Sequence, residues 1–204
     1  MEVCNLTHDS TSFTSNAYLI FGEKITLIDV GSDPGTLEKL GDYTSEIDSI
    51  LLTHQHSDHI GSLNEIMDAF HPELYCHSAH PLQTSRISTG QKILIGDDWY
   101  EVLPTPGHSK DHLVFFNSHS IFSGDIVVYS DSAFHRGSFG RTDLPGSSRE
   151  DLINSIELIL SHSSHELRNM YPGHGPVFHG NVMDVITKAL YRANKREPKY
   201  SSPR

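Results

Sequence analysis

The sequence predicts a mixed α/β fold, and three observations carry that expectation. Short apolar runs of strand length end in turns bearing Asp, Gly or His, as in Leu27-Ile28-Asp29 and Ile121-Phe122-Ser123-Gly124-Asp125. Other segments repeat their apolar residues with helical spacing, at 60, 63, 66, 67 and 70 and at 152, 153, 156, 159 and 160. The two kinds of segment alternate in two similar halves with no recognisable linker, so a single domain over residues 1–204 is expected.

In chain order, residues 16–21 and 25–29 predict a hairpin across Gly22-Glu23-Lys24, followed by a helix over 34–40. Ile50-Leu51-Leu52 reads as a buried strand, and residues 60–70 as an amphipathic helix. Tyr100 to Leu103 is strand-like, with Trp99 and Tyr100 assigned to core or strand-face packing. Residues 112–116 and 120–123 predict a second hairpin, and 149–160 a helix. Met170 to Pro172 is a further strand, and the last helix is expected over about 182–193. A mobile tail is expected from about residue 195.

The chemistry concentrates in His54-Gln55-His56-Ser57-Asp58-His59, between the 50–52 strand and the 60–70 helix. Imidazole nitrogen and carboxylate oxygen suit zinc, iron and manganese, and alternation puts His54 and His56 on one side of an extended loop. Gly61 and Ser62 are small where the backbone must pass close to the site. Three more candidate ligands follow strand-like runs: His108 in Thr105-Pro106-Gly107-His108-Ser109, Asp125 after Gly124, and His174 between Gly173 and Gly175. A strand end is where a rigid sheet can aim a ligand. Any one of these turns is common, but all four in this order point to metal-dependent hydrolysis.

With these motifs the chain resembles the metallo-β-lactamase fold superfamily over nearly its whole length. Gly137-Ser138-Phe139-Gly140-Arg141-Thr142-Asp143-Leu144-Pro145-Gly146 narrows the resemblance to the short hydroxyacylglutathione-hydrolase-like, or glyoxalase II-like, branch. The resemblance implies a four-layer αββα sandwich and two divalent metal ions, zinc first, with iron or manganese as alternatives. It assigns His54, His56 and His108 to the first ion and Asp58, His59 and His174 to the second, with Asp125 bridging. Asp58 and Asp125 are the carboxylates it places in catalysis. A small-molecule thioester is the implied substrate and a metal-bridging hydroxide the implied nucleophile. A thiolate leaving group, from a thiol of pKa about 8.5, needs little acid assistance at neutral pH. No nucleophile-elbow motif offers a serine or cysteine route instead.

Two other functions fit the same residues. A persulfide dioxygenase would hold one iron at His54, His108 and Asp125, leaving open positions for oxygen and substrate. A non-enzyme would use the metals only to stabilise a binding or structural domain. Larger glyoxalase II enzymes add a C-terminal region that helps hold glutathione, whereas 30 residues follow His174 here, so weaker dependence on glutathione is expected.

The formal net charge is −11, from 26 acids against 15 bases, which disfavours extended contact with nucleic-acid phosphates. Arg192, Lys195, Arg196, Lys199 and Arg204 form a basic cluster expected to be a solvated tail. No apolar run approaches the ~20 residues that span a bilayer and no leader pattern opens the chain, so a cytoplasmic enzyme without a membrane partner is expected. Cys4 and Cys76 form no Cys-x-x-Cys pair and are read as reduced thiols.

Outside the seven ligands, Asp29 fits either an acceptor that orients a ligand turn or a strand-end cap. Arg141 and Asp143 are expected to pair within their own loop rather than anchor a substrate. Of the other histidines, His112 and His179 are expected to be surface or hydrogen-bonded residues, while His135 is a candidate pocket residue.

Overall fold

The structure is a computed structural model that describes residues 2–195. The chain divides into two compact units, residues 1–102 and 103–204. In the first unit, β1 (Glu2–Asn5), β2 (Tyr18–Phe21) and β3 (Thr26–Ile28) precede helix α1 (Thr36–Tyr43). Strand β4 (Ser49–Leu51) then leads into α2 (Ser57–Ile60) and α3 (Leu63–Phe70). After these come β5 (Glu73–Cys76), β6 (Ser85–Arg86), β7 (Lys92–Ile95) and β8 (Asp98–Pro104), which ends across the boundary of the two units.

The first six strands form one sheet in sequence order. Strands β1, β2 and β3 pair antiparallel, through the hairpin expected around Gly22-Glu23-Lys24. From β3 to β6 the pairing is parallel, which requires crossover connections; α1 supplies one between β3 and β4, and α2 with α3 supplies the next. Leu19, Leu27, Ile50 and Leu74 pack with Leu40, Leu63 and Ile66 of the helices in one apolar core.

The second unit continues with β9 (Leu113–Phe116), β10 (Ser120–Gly124), α4 (Arg149–His162), β11 (Asn169–Pro172), β12 (Phe178–His179) and α5 (Val182–Asn194). These strands run β12-β11-β10-β9 across their sheet. The β9–β10 hairpin is antiparallel, and β10 pairs parallel with β11 across the α4 crossover. Leu152, Ile156 and Ile159 of α4 pack with Val185, Ile186 and Ala189 of α5 over Val114, Ile121 and Met170. The apolar positions read from the 149–160 periodicity thus include the residues that fill this core.

Several expectations need correction. The 60–70 helix is two helices, because the chain turns at Gly61 and Ser62 before α3 begins. A Cβ at Gly61 would lie 2.5 Å from Ser32 Cβ, so the turn there demands glycine. Helix α1 runs beyond the expected residue 40 to Tyr43. Tyr100 is buried as expected, but Trp99 is 61% exposed opposite Leu94 in the β7–β8 hairpin. Arg192 does not belong to a solvated tail, since its guanidinium bonds backbone carbonyls of the 135–137 turn. The tail expected from about 195 lies outside the described residues, apart from Lys195 at the end of α5. Cys4 and Cys76 are free thiols. Among the described residues no helix is long and apolar enough to cross a membrane.

Helix α4 starts at a serine cap: Ser148 Oγ accepts from Asp151 N at 3.2 Å, and Ser148 N donates to Gly107 O at 2.7 Å. Replacing Ser148 by Ala removes only the side-chain acceptor and is expected to lower stability by about 1 kcal/mol. Denaturant unfolding of the two proteins checks this, with the same slope and a lower midpoint expected for the variant.

Candidate metal centre

Each unit gathers its own share of the seven expected ligands, most of them just past the C-terminal ends of parallel strands, where open α/β sheets commonly place ligands; His108 instead follows β8, which pairs antiparallel with β7. In the first unit the hexapeptide leaves β4 and enters α2, which begins at Ser57. His59 N donates to His56 O at 2.9 Å, closing the turn, and Val30 N donates to His59 O at 3.0 Å, tying it to the end of β3. His54 and His59 are buried, with ring centroids 4.0 Å apart. His54 Nε2 and His56 Nδ1 lie 3.1 Å apart, close enough to share a hydrogen bond or to bind one cation from both rings. Asp58 Oδ2 is 4.0 Å from His59 Nε2. The unit therefore brings His54, His56, Asp58 and His59 together.

Asp29 organises this cluster. It is buried just beyond β3 in the left-handed region, at φ +52°, a conformation that Asp tolerates better than most residues. Its Oδ1 accepts from Thr53 N at 2.8 Å, and its Oδ2 accepts from Thr53 Oγ1 at 2.7 Å and His59 Nδ1 at 2.7 Å. Asp29 therefore serves both roles that were open in the sequence, terminating the strand and orienting a ligand. Because an ionised carboxylate only accepts, Nδ1 of His59 is the donor, and in the neutral ring Nε2 then holds the lone pair.

The second unit repeats the device with a carbonyl. His108 Nδ1 donates to Arg141 O at 2.9 Å, which leaves its Nε2 as the lone-pair nitrogen. That Nε2 is 3.4 Å from Asp125 Oδ2, and His174 Nε2 is 3.5 Å from the same oxygen. These separations are long for hydrogen bonds. Two donors each ~2.1 Å from a tetrahedral zinc would stand about 3.4 Å apart. His108 and Asp125 are buried, whereas the His174 side chain is 27% exposed and stands at the rim. The two ligand turns are tied directly, Gly173 N donating to Gly124 O at 2.8 Å.

Two supports in this unit were not identified from the sequence. His112, assigned there only to surface or hydrogen-bonded positions, is buried and accepts at Nε2 from Asp125 N at 3.0 Å. Its Nδ1 therefore carries the proton and donates to Thr105 Oγ1 at 2.8 Å, so one ring braces both the Asp125 and the His108 turns. Gly140 is the second: a Cβ there would lie 2.3 Å from Asp125 O and 2.7 Å from His108 Nδ1. Glycine thus lets the 137–146 segment press against two ligands. Arg141 and Asp143 pair within their loop as expected, at 2.9 Å and 2.7 Å, and that hydrogen bonding holds the Asp143 carboxyl below the usual carboxylate range. His135 is exposed, with its Nδ1 3.0 Å from Ser130 Oγ.

These donors fit divalent metal ions. Metal-binding histidines almost always donate the second ring N–H to a carboxylate or a backbone carbonyl, and His59 and His108 show one of each. Removing Asp29 should therefore act on metal as well as on folding. Asp29→Ala is expected to weaken metal retention by about 10- to 100-fold. It also leaves buried donors without their acceptor, lowering stability by about 1–3 kcal/mol. Chelator competition and thermal unfolding of the metal-free protein measure the two effects separately.

A sequence profile of the metallo-β-lactamase superfamily matches residues 11–86. A probable metallo-hydrolase of Streptococcus pyogenes is 33% identical over 187 residues, covering 78% of each chain. The hydroxyacylglutathione hydrolase of Hydrogenovibrio crunogenus is 33% identical over 102 residues, which is 47% of this chain and 38% of that one. Among solved structures, TTHA1623 in a di-iron-bound form superposes with a TM-score of 0.70 at 29% identity, covering 93% of this chain and 98% of that one. The mixed α/β architecture is the metallo-β-lactamase fold. With hydroxyacylglutathione hydrolases among its relatives, the chain belongs to the metallo-β-lactamase superfamily.

Proposed function

We propose that this chain is a metal-dependent hydrolase of small thioesters that holds two divalent ions. His54, His56 and His108 would bind the first ion and Asp58, His59 and His174 the second, with Asp125 as the bridging carboxylate. The observation that carries this assignment is Asp125 Oδ2, which lies within 3.5 Å of Nε2 on both His108 and His174. One carboxylate between the Nε2 atoms of His108 and His174, with the opposite ring nitrogen of His108 donating to Arg141 O, is a donor set for cations. Zinc suits these nitrogen and carboxylate donors, and the di-iron form of TTHA1623 makes iron the alternative.

When bound, such ions lower the pKa of coordinated water from about 15.7 to about 7 and polarise an ester carbonyl. The residues of the chain contribute position. Asp29 and the Arg141 carbonyl hold the protons of His59 and His108 at Nδ1, and His112 holds the backbone of Asp125. None of these groups needs to move a proton, because a departing thiolate is a competent leaving group near neutral pH. The relationship to hydroxyacylglutathione hydrolases supports a thioester as the substrate class.

Removal of metal by a chelator is expected to abolish hydrolysis of lactoyl thioesters, and added zinc to restore it. Asp58→Ala and His59→Ala should each reduce turnover by about 10- to 1000-fold and lower metal occupancy in parallel. Hydrolysis that survives complete metal removal would overturn the proposal. Oxygen consumption with glutathione persulfide, in the absence of thioester hydrolysis, would replace it with the dioxygenase.

A further inference from the structure

We infer that Arg192, on the last turn of α5, is a positioning residue for His108 and Asp125, acting through the segment 135–141. The inference rests on these two residues being metal ligands, as proposed above. The segment begins with a strained turn, in which Arg136 sits at φ +55° and Gly137 at φ +92°. A non-glycine residue in that region persists only when its surroundings over-determine it. The Arg192 guanidinium supplies much of that determination. Its Nη1 donates to Gly137 O at 2.6 Å and Arg136 O at 3.2 Å, and its Nη2 donates to His135 O at 3.2 Å. The same group lies over the Phe134 ring, 4.8 Å from its centroid.

The planar fork of arginine suits this task, since its donors are fixed in one plane and three successive carbonyls lie within reach. Beyond the turn the chain is tightly confined. A Cβ on Gly137 would meet Val185 O of α5 at 2.6 Å, so the segment lies directly against the helix. Ser138 exchanges backbone hydrogen bonds with Val128, at 3.0 and 2.9 Å, and Phe139 is buried in the core. Two residues later the chain reaches the ligands, with Gly140 pressed on Asp125 and His108 and Arg141 O accepting the His108 proton. Arg149 steadies the other side of the clamp, bonding the carbonyls of Ala193 and Arg192 while its guanidinium lies 5.0 Å from the Phe139 centroid. Displacing the 135–137 turn would therefore shift the carbonyl that fixes the His108 ring.

The test uses Arg192→Met, which keeps the aliphatic stem and removes the guanidinium, and Arg192→Lys, which keeps the charge but cannot span three carbonyls. Metal-free wild type and variants are titrated with cobalt(II), with affinity read by chelator competition and ligand geometry by the visible absorption spectrum. The expected result is a loss of affinity of at least about 10-fold for Arg192→Met, in the range for outer groups that orient metal ligands. An altered cobalt spectrum should accompany it, with Arg192→Lys intermediate in both. A merely structural role would lower the unfolding temperature and leave the spectrum of the folded, loaded protein unchanged. Wild-type cobalt affinity and spectrum in Arg192→Met overturn the inference; if that variant does not fold, the same result in Arg192→Lys overturns it. A wild-type protein that binds no cobalt would instead overturn the metal assignment beneath it.

Discussion

An imidazole presents a fixed lone pair at one nitrogen only when the proton on the other is held in place, and both units are organised around meeting that condition in a dry interior. For His59 the holding group is a buried carboxylate, and for His108 it is a backbone carbonyl. Each solution imposes further structure. Asp29 must leave its strand in the left-handed region and be satisfied by Thr53 as well. The Arg141 carbonyl reaches His108 only because Gly140 has no side chain to collide with the ring. The order of the donors is thus set by groups that need touch no substrate.

The same topological device appears in both units. An antiparallel hairpin delivers a strand, a helix crosses over, and the next strand pairs parallel: β2, β3, α1 and β4 in one unit, and β9, β10, α4 and β11 in the other. Parallel pairing brings the C-terminal ends of adjacent strands side by side. Asp29 and the hexapeptide follow two such ends, while Asp125 and His174 follow the other two. The carboxylates occupy comparable positions yet differ in work, since Asp29 accepts an imidazole proton whereas Asp125 stands beside the Nε2 atoms of His108 and His174.

Much of this was legible in the sequence because it depends on local pattern. Strand-like runs ending in Gly-Asp or Gly-His marked three of the ligand turns, and apolar spacing located α4 and α5 to within two residues at their ends. What was not legible depends on contacts distant in sequence. Nothing near His112 distinguishes it from the other histidines, since its role comes from an N–H thirteen residues away. The clamp made by Arg192 spans 55 residues to Gly137, so composition alone put that arginine in a basic tail. Trp99 is a large apolar residue in a strand, which by itself suggests packing, yet it is 61% exposed in the β7–β8 hairpin.

The preset histidines are the centre of this description, and nitrogen-15 NMR of the imidazole rings in metal-free protein, before and during titration with zinc, tests them most directly. His59 and His108 should already be protonated at Nδ1 without metal, their Nε2 signals should shift on titration, and saturation should come at two equivalents per chain. Protonation at Nε2 in either ring, or saturation with shifts confined to other histidines, would contradict it.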